Sequence, residues 1–208
     1  MHVGIASAPR GPAMAAAADE SLRRAIGALV TALSELGVPF MIIGGIAVIL
    51  RGVARQTNDV DATVWAEGLD VERVLTTLGR HGIGGRIADV ADFARAHQVF
   101  LLRHADTATP MELSLAWLPF EQTALRRAET LDVEGLRVPV AAVDDLIVYK
   151  SVAWRDRDRA DIERLLQLHA DRIDLTYVRG AVAEFARVLH EPERLREFER
   201  LIERAGNG

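Results

Sequence analysis

The fold is decided by two runs of sequence, Phe40-Met41-Ile42-Ile43-Gly44-Gly45-Ile46-Ala47-Val48 and, after a polar loop, Asp59-Val60-Asp61-Ala62-Thr63-Val64. Residues 40–43 are apolar and predict a short buried strand. Gly44-Gly45 predicts a tight turn that leads from this strand into a short apolar helix. Residues 59–64 predict a second strand. A strand, a glycine turn and a helix, followed by an acidic strand, indicate an α/β core.

Asp59 and Asp61 are two positions apart on the second predicted strand. Their side chains therefore point to one face, roughly 6.6 Å apart, while Val60 points into the core. Two carboxylates on one face repel each other unless a cation lies between them, and all-oxygen ligands suit Mg²⁺ or Mn²⁺. The chain has no cysteine, which excludes thiolate metal sites. The alternative is an edge strand with two ordinary solvent-facing aspartates.

Gly44-Gly45 lies where backbone can approach a ligand closely, and the helix that follows offers free N–H groups to phosphate oxygens. The alternative is a turn that needs glycine only for a positive φ. A third carboxylate comes from a run in which apolar and polar residues alternate: Met111, Glu112, Leu113, Ser114 and Leu115. Glu112 therefore shares a strand face with Ser114. Glu121, in a predicted helix, and Asp106 are the alternatives for a third metal ligand.

Lys150 is the only lysine among 25 basic residues. Its neighbours at helical spacing form an apolar face: Val143, Leu146, Ile147, Ala153 and Trp154. A charge on such a face is costly unless it is paired, although a lysine can also extend its ammonium group to solvent. Asp158, about two turns downstream, is the candidate partner. If Lys150 is an isolated buried charge, Lys150→Met should raise the melting temperature slightly.

The remaining pattern predicts a helix over 20–36, a helix over 71–81, strands over 97–103 and 111–117, a short helix over 119–127, a strand pair over 130–139, and helices from 143 onward. The predicted organisation is a disordered leader (1–18), an α/β core (19–140) and a C-terminal helical domain (141–208). No apolar run reaches the roughly 20 residues that span a membrane, and no secretory signal is evident, so we expect a cytoplasmic protein. The net charge of −5 argues against a generally basic nucleic-acid coat.

These motifs together resemble a known superfamily. Residues 42–48 and 55–61 resemble the signature of polymerase-beta-like nucleotidyltransferases. Residues 145–162 resemble the Lys-and-Asp helix of the AbiEii/AbiGii toxin-like group. The resemblance implies an α/β (α+β) fold with a mixed sheet followed by a C-terminal helical bundle, Mg²⁺ (or Mn²⁺) as cofactor, and NTP as co-substrate. Members of that group act as toxins of toxin–antitoxin pairs and some modify tRNA, so tRNA or another RNA acceptor and a cognate antitoxin protein are the expected partners.

The resemblance also implies roles for individual residues. Gly44 and Gly45 would touch the triphosphate, although the usual Gly-Ser form, with its hydroxyl, is Gly-Gly here. The implied set comprises metal ligands Asp59, Asp61 and Glu112, with Lys150 as a further catalytic residue, and nucleotide-binding residues Gly44, Gly45, Lys150 and Asp158. Two other functions stay open, namely a degenerate binding module and an antitoxin-like transferase that modifies a partner protein. An RNA acceptor would be bound by an arginine-rich surface comprising residues 155–159, Arg126 and Arg127.

Overall fold

A computed structural model describes residues 18–206 of the chain, with side chains from residue 20 onward. The predicted leader, apart from Ala18, lies outside the described residues. The elements are α1 (Ala18–Leu36), β1 (Phe40–Ile43), α2 (Gly44–Leu50), β2 (Val60–Trp65), α3 (Val71–Arg80), β3 (Ile83–Gly85), α4 (Val90–His97), β4 (Val99–His104), β5 (Pro110–Ala116), α5 (Pro119–Arg127), β6 (Glu129–Val133), β7 (Leu136–Val140), α6 (Val143–Ala153), α7 (Asp156–Leu168), α8 (Leu175–Val188) and α9 (Glu193–Gly206).

The strands form one mixed sheet in the order β3-β4-β5-β2-β1-β7-β6. β2 pairs in parallel with β5 and antiparallel with β1, while β1 pairs in parallel with β7. The outer pairs, β3 with β4, β4 with β5 and β6 with β7, are antiparallel. The predicted mixed sheet, followed by helices, is therefore confirmed.

β2 and β5 lie next to each other in the middle of the sheet, and alternation turns part of each strand into the core. Val60, Ala62 and Val64 of β2 are fully buried, as are Met111 and Leu113 of β5. One hydrophobic cluster continues from α1 through the sheet into the C-terminal helices. Each large side chain that this core buries contributes about 1.5–3 kcal/mol. The acidic side chains alternate with these core residues and are held on the opposite face of a rigid sheet.

Arg51, directly after α2, fastens that helix to the end of β7. Its Nε donates a hydrogen bond of 2.9 Å to the Ala141 carbonyl oxygen, and its Nη1 donates one of 2.6 Å to the Glu129 carboxylate. The side chain is 9 % exposed, so these partners satisfy a cation that would otherwise be costly to bury. The contact fixes α2, and with it the glycine turn at its start.

The sequence pattern predicts neither β3 nor α4. β3 has only three residues, two of them glycines, and α4 has eight. The helices predicted from residue 143 onward are present, and they break after Ala153, Leu168 and Val188, close to the predicted positions. A domain boundary near residue 141 stays a prediction. Among residues 18–206, no helix combines the length and the apolarity required to cross a membrane.

Candidate active site

The turn between β1 and α2 packs directly against Asp61. Ile43, the last residue of β1, lies opposite Asp61 in the antiparallel register. Gly44 has a φ of +63°, and a Cβ added there would lie 1.9 Å from Asp61 Oδ2. A Cβ at Gly45 would lie 2.6 Å from Thr57 Oγ1. Both glycines are therefore required by the close approach of site side chains, and Gly44 also by its left-handed backbone.

Three carboxylates converge from β2 and β5. Asp61 lies opposite Glu112 in the parallel register, and Asp59 directly precedes β2. All the site residues expected from the sequence line one cavity of about 260 Å³: Gly44, Gly45, Asp59, Asp61, Glu112, Lys150 and Asp158. The structure thus brings together residues that are far apart in the sequence.

The electrostatics of Asp61 reflect this convergence. Burial, followed by the negative charges of Asp59 and Glu112, raises the pKa of Asp61 to about 6, although Lys150 and Arg157 act in the opposite direction. Asp59, Asp61 and Glu112 therefore concentrate negative charge at one point of the sheet. A bound cation would relieve this repulsion.

Carboxylate oxygens are suitable ligands for a hard divalent cation, but two of the three carboxylates also bond to other side chains. Glu112 contacts Arg86 at 3.1 Å, and Asp59 accepts a hydrogen bond of 2.5 Å from the Thr57 hydroxyl. Within the described part of the chain, no three Asp, Glu or His side chains are already grouped as metal ligands. Three carboxylates on one face still offer the all-oxygen ligands that Mg²⁺ and Mn²⁺ prefer, once Glu112 releases Arg86.

Lys150 is buried but not isolated. It is 7 % exposed, and its Nζ lies 2.9 Å from Asp158 and 3.0 Å from Asp161. Asp161 also binds Arg55 at 2.6 Å. The predicted contact with Asp158 is confirmed. The expectation that Lys150→Met stabilises the protein assumed an isolated buried charge, and that assumption is wrong. The substitution would leave two buried carboxylates without the cation that they share.

The alternative third carboxylates lie elsewhere. Glu121 accepts hydrogen bonds from the backbone N–H groups of Trp117 and Leu118, and so holds the start of α5. Asp106 pairs with Arg24 on α1 at 2.8 Å. Because neither lines the cavity, Glu112 is the third carboxylate that the geometry favours.

The predicted arginine-rich surface is partly neutralised. Arg127 binds Asp144 at 2.5 Å and Asp145 at 3.0 Å, and it does not line the cavity. Within residues 155–159, Arg155 lies 3.6 Å from Asp158 and Arg159 pairs with Asp156. Arg157 has no carboxylate at ion-pairing distance among residues 20–206, and it lines the cavity. Arg155 and Arg157 are therefore the members of this surface that line the cavity, whereas Arg126, which donates to the Thr123 hydroxyl, lies outside it.

Sequence reasoning missed three further residues of this region. Arg86 follows the unpredicted strand β3, and Arg55, which lines the cavity, pairs with the distant Asp161. Neither lies in a periodic pattern that would have identified it. Tyr149 also lines the cavity next to Lys150, and burial raises its pKa, so its hydroxyl stays protonated. Its position beside the only lysine was the one signal available.

Comparisons with solved structures support the fold. The antibiotic-resistance factor ANT(2″)-Ia, in a complex with adenylyl-2″-tobramycin, matches with a TM-score of 0.54 and 18% identity, over 82% of this chain and 99% of that one. An antigenic nucleotidyltransferase-like protein from Paracoccidioides brasiliensis matches with a TM-score of 0.53 and 19% identity, over 85% and 93%. The lincosamide adenylyltransferase LnuA, bound to lincomycin, matches with a TM-score of 0.50 and 14% identity, over 72% and 97%.

A comparison with curated protein sequences finds no significant match. A family model described as a nucleotidyltransferase of unknown function (DUF6036) matches residues 21–204, which is most of the chain. The mixed sheet, the glycine turn and the acidic strands all lie within the matched range. The chain therefore belongs to this family of nucleotidyltransferases and is an enzyme of that class.

Proposed function

We propose that the protein transfers a nucleoside monophosphate from an NTP to a hydroxyl group, using Asp59, Asp61 and Glu112. The observation that carries this proposal is the register of the sheet. Asp61 lies between Ile43, which leads into the glycine turn, and Glu112 on β5. A triphosphate at the turn would thus meet three carboxylates in one cavity.

The donor is held on the side of the cavity formed by the glycine turn. Gly44 and Gly45 let the backbone lie close to Asp61 and Thr57, and Lys150 and Arg157 place positive charge nearby. These cations would offset part of the negative charge of the triphosphate. Lys150 can serve in this way while Asp158 and Asp161 hold it in place.

The reaction forms a bond between the acceptor oxygen and the α-phosphorus and breaks the bond from that phosphorus to the bridging oxygen. Pyrophosphate leaves, and one of the three carboxylates accepts the hydroxyl proton. Two divalent cations, Mg²⁺ or Mn²⁺, held by Asp59, Asp61 and Glu112 would stabilise the charge on the attacking and leaving oxygens. The chain itself supplies the orientation of both substrates on a rigid sheet.

The finer assignments stay predictions. Membership of the AbiEii/AbiGii toxin-like group, a tRNA or other RNA acceptor and a cognate antitoxin are supported by the sequence resemblance alone. Retention of the three carboxylates in one cavity favours an enzyme over a degenerate binding module. Modification of a partner protein would differ from modification of RNA in its product, which would be a nucleotide-labelled protein.

The proposal is tested by incubating the purified protein with each α-labelled NTP, Mg²⁺ and, in separate reactions, total RNA and cell extract. We expect label to pass from one NTP to an acceptor, with release of pyrophosphate. The double variant Asp59→Asn/Asp61→Asn should show no transfer. Transfer at the wild-type rate by this variant would reject the assigned residues, and no transfer by the wild type to any acceptor would reject the function.

A further inference from the structure

A second cavity of about 330 Å³ adjoins the first. The two share Arg55, Asp59, Glu112 and Arg157 in their linings. Only the first is lined by the glycine turn, whereas only the second is lined by Arg86. Asp59 and Glu112 therefore lie where the two cavities meet, and the remaining lining residues of the cavities differ.

In-line displacement places the attacking oxygen and the leaving group on opposite sides of the phosphorus. If the triphosphate occupies the cavity with the glycine turn, the acceptor approaches from the second cavity. This step rests on the proposed function, since it needs the donor to be placed as described above.

The second cavity is rich in arginine. Arg86 is 30 % exposed along its side chain, Arg55 is 12 % exposed, and Arg157 is exposed. Arg55 is already paired with Asp161, so Arg86 and Arg157 are the cations of this lining that can act on a ligand. The carboxylates of the lining are Asp59 and Glu112. Both are assigned to the divalent cations, so neither is free to bind an ammonium group of a substrate. Once Glu112 turns to a cation, Arg86 loses its own partner and faces the cavity with an unpaired charge.

We propose that the acceptor carries a phosphate group close to the hydroxyl that receives the nucleotide, and that Arg86 binds this phosphate. A guanidinium presents paired N–H donors that match phosphate oxygens, which gives affinity and orientation together. A polycation such as the aminoglycoside tobramycin would meet Arg86 and Arg157 and no free carboxylate in this lining. The phosphate can belong to the end of an RNA chain or to a small sugar phosphate, because both present the same chemistry.

The experiment uses the full chain with Mg²⁺ and the α-labelled NTP that gives most label. The acceptors are ribose, ribose 5-phosphate, a five-nucleotide RNA and tobramycin, with fractionated cell extract in parallel. We expect label on ribose 5-phosphate or on the RNA, and the labelled one of the two identifies the source of the phosphate. Label on ribose or tobramycin at an equal rate would overturn the proposal, as would label confined to the protein fraction of the extract. In both cases nucleotide transfer itself would stand, whereas the absence of label anywhere would overturn both proposals.

A second arm separates a phosphate-binding role of Arg86 from a merely structural one. Arg86→Gln should raise KM for the phosphorylated acceptor ~10-fold while kcat and KM for the NTP change less than about twofold. The matched control is Arg80→Gln, since Arg80 also pairs with a glutamate, Glu35, but on α3 outside both cavities. This control should leave every constant unchanged. An unchanged acceptor KM in Arg86→Gln, or a change confined to the NTP, would overturn the role of Arg86.

Discussion

Two acidic clusters lie in the same cleft and differ in how their charge is balanced. Asp158 and Asp161 are almost fully buried and share Lys150, while Arg55 adds a second cation, so the cluster is neutral. Asp59, Asp61 and Glu112 are more accessible, and their mutual repulsion contributes to the raised pKa of Asp61. The first cluster is neutral within the chain, whereas in the second, among the described residues, Glu112 alone has an ion-pair partner, Arg86.

This difference separates structural from functional carboxylates. A buried ion-pair network that satisfies its own members holds elements together, here α6, α7 and the loop before β2. A cluster of like charges costs stability in the absence of a ligand, which is why we propose that this cluster binds a cation.

The largest effect is expected on activity. Asp61→Asn should lower the rate of nucleotide transfer by at least ~1,000-fold, because a ligand that stabilises charge in the transition state is lost. Circular dichroism should show an intact fold, since one member of a repelling cluster is removed. Asp106→Asn is the control, as Asp106 pairs with Arg24 away from the cavity. Equal rates for the two variants would contradict the assignment.

The next effect is on stability. Lys150→Met should lower the free energy of unfolding by about 3–5 kcal/mol, because Asp158 and Asp161 lose a shared cation in a buried setting. The control is Arg23→Met, which breaks an exposed pair with Glu20 and should cost less than about 1 kcal/mol. Denaturant titration measures both. A Lys150→Met protein as stable as the wild type would show that the network contributes little.

Much of the fold and part of the site follow from the sequence. Apolar runs and alternation predicted β1, β2 and β5, and hence the faces that carry Asp61 and Glu112. The arginines could not be found in this way. Arg55 and Asp161 are 106 positions apart, and such a pairing leaves no periodic signal. Arg86 follows a strand of three residues that contains two glycines, which is too short to show alternation.

A smaller effect on stability is expected at the glycine turn, where Gly44 packs against Asp61. Gly44→Ala places a methyl group on the Asp61 carboxylate at a residue with positive φ. Gly37→Ala meets the same backbone strain, with φ of +69°, but nothing lies within 4 Å of the added carbon. We expect Gly37→Ala to cost about 1 kcal/mol and Gly44→Ala about 1–3 kcal/mol more, with loss of transfer. Equal costs in thermal unfolding would mean that Asp61 moves away freely.

The smallest effect is a pH dependence of the metal-free protein. The pKa of Asp61 is raised from 3.8 to about 6 in the folded state, so the folded state binds this proton more tightly than the unfolded state does. Stability should therefore fall as pH rises from about 4 to about 6, by on the order of 1 kcal/mol from this group. Asp61→Asn should remove that fall. A variant with the same pH profile as the wild type would assign the effect to other groups.

We propose that the cluster of Asp59, Asp61 and Glu112 binds divalent cations and that the cluster around Lys150 does not. The most direct measurement is Mn²⁺ binding, followed by the electron paramagnetic resonance signal of the free ion, which needs no knowledge of the acceptor. We expect the wild type and Asp106→Asn to bind Mn²⁺, and Asp61→Asn and Glu112→Gln to bind it at least ~10-fold more weakly. Equal Mn²⁺ affinity in all four proteins would contradict the account.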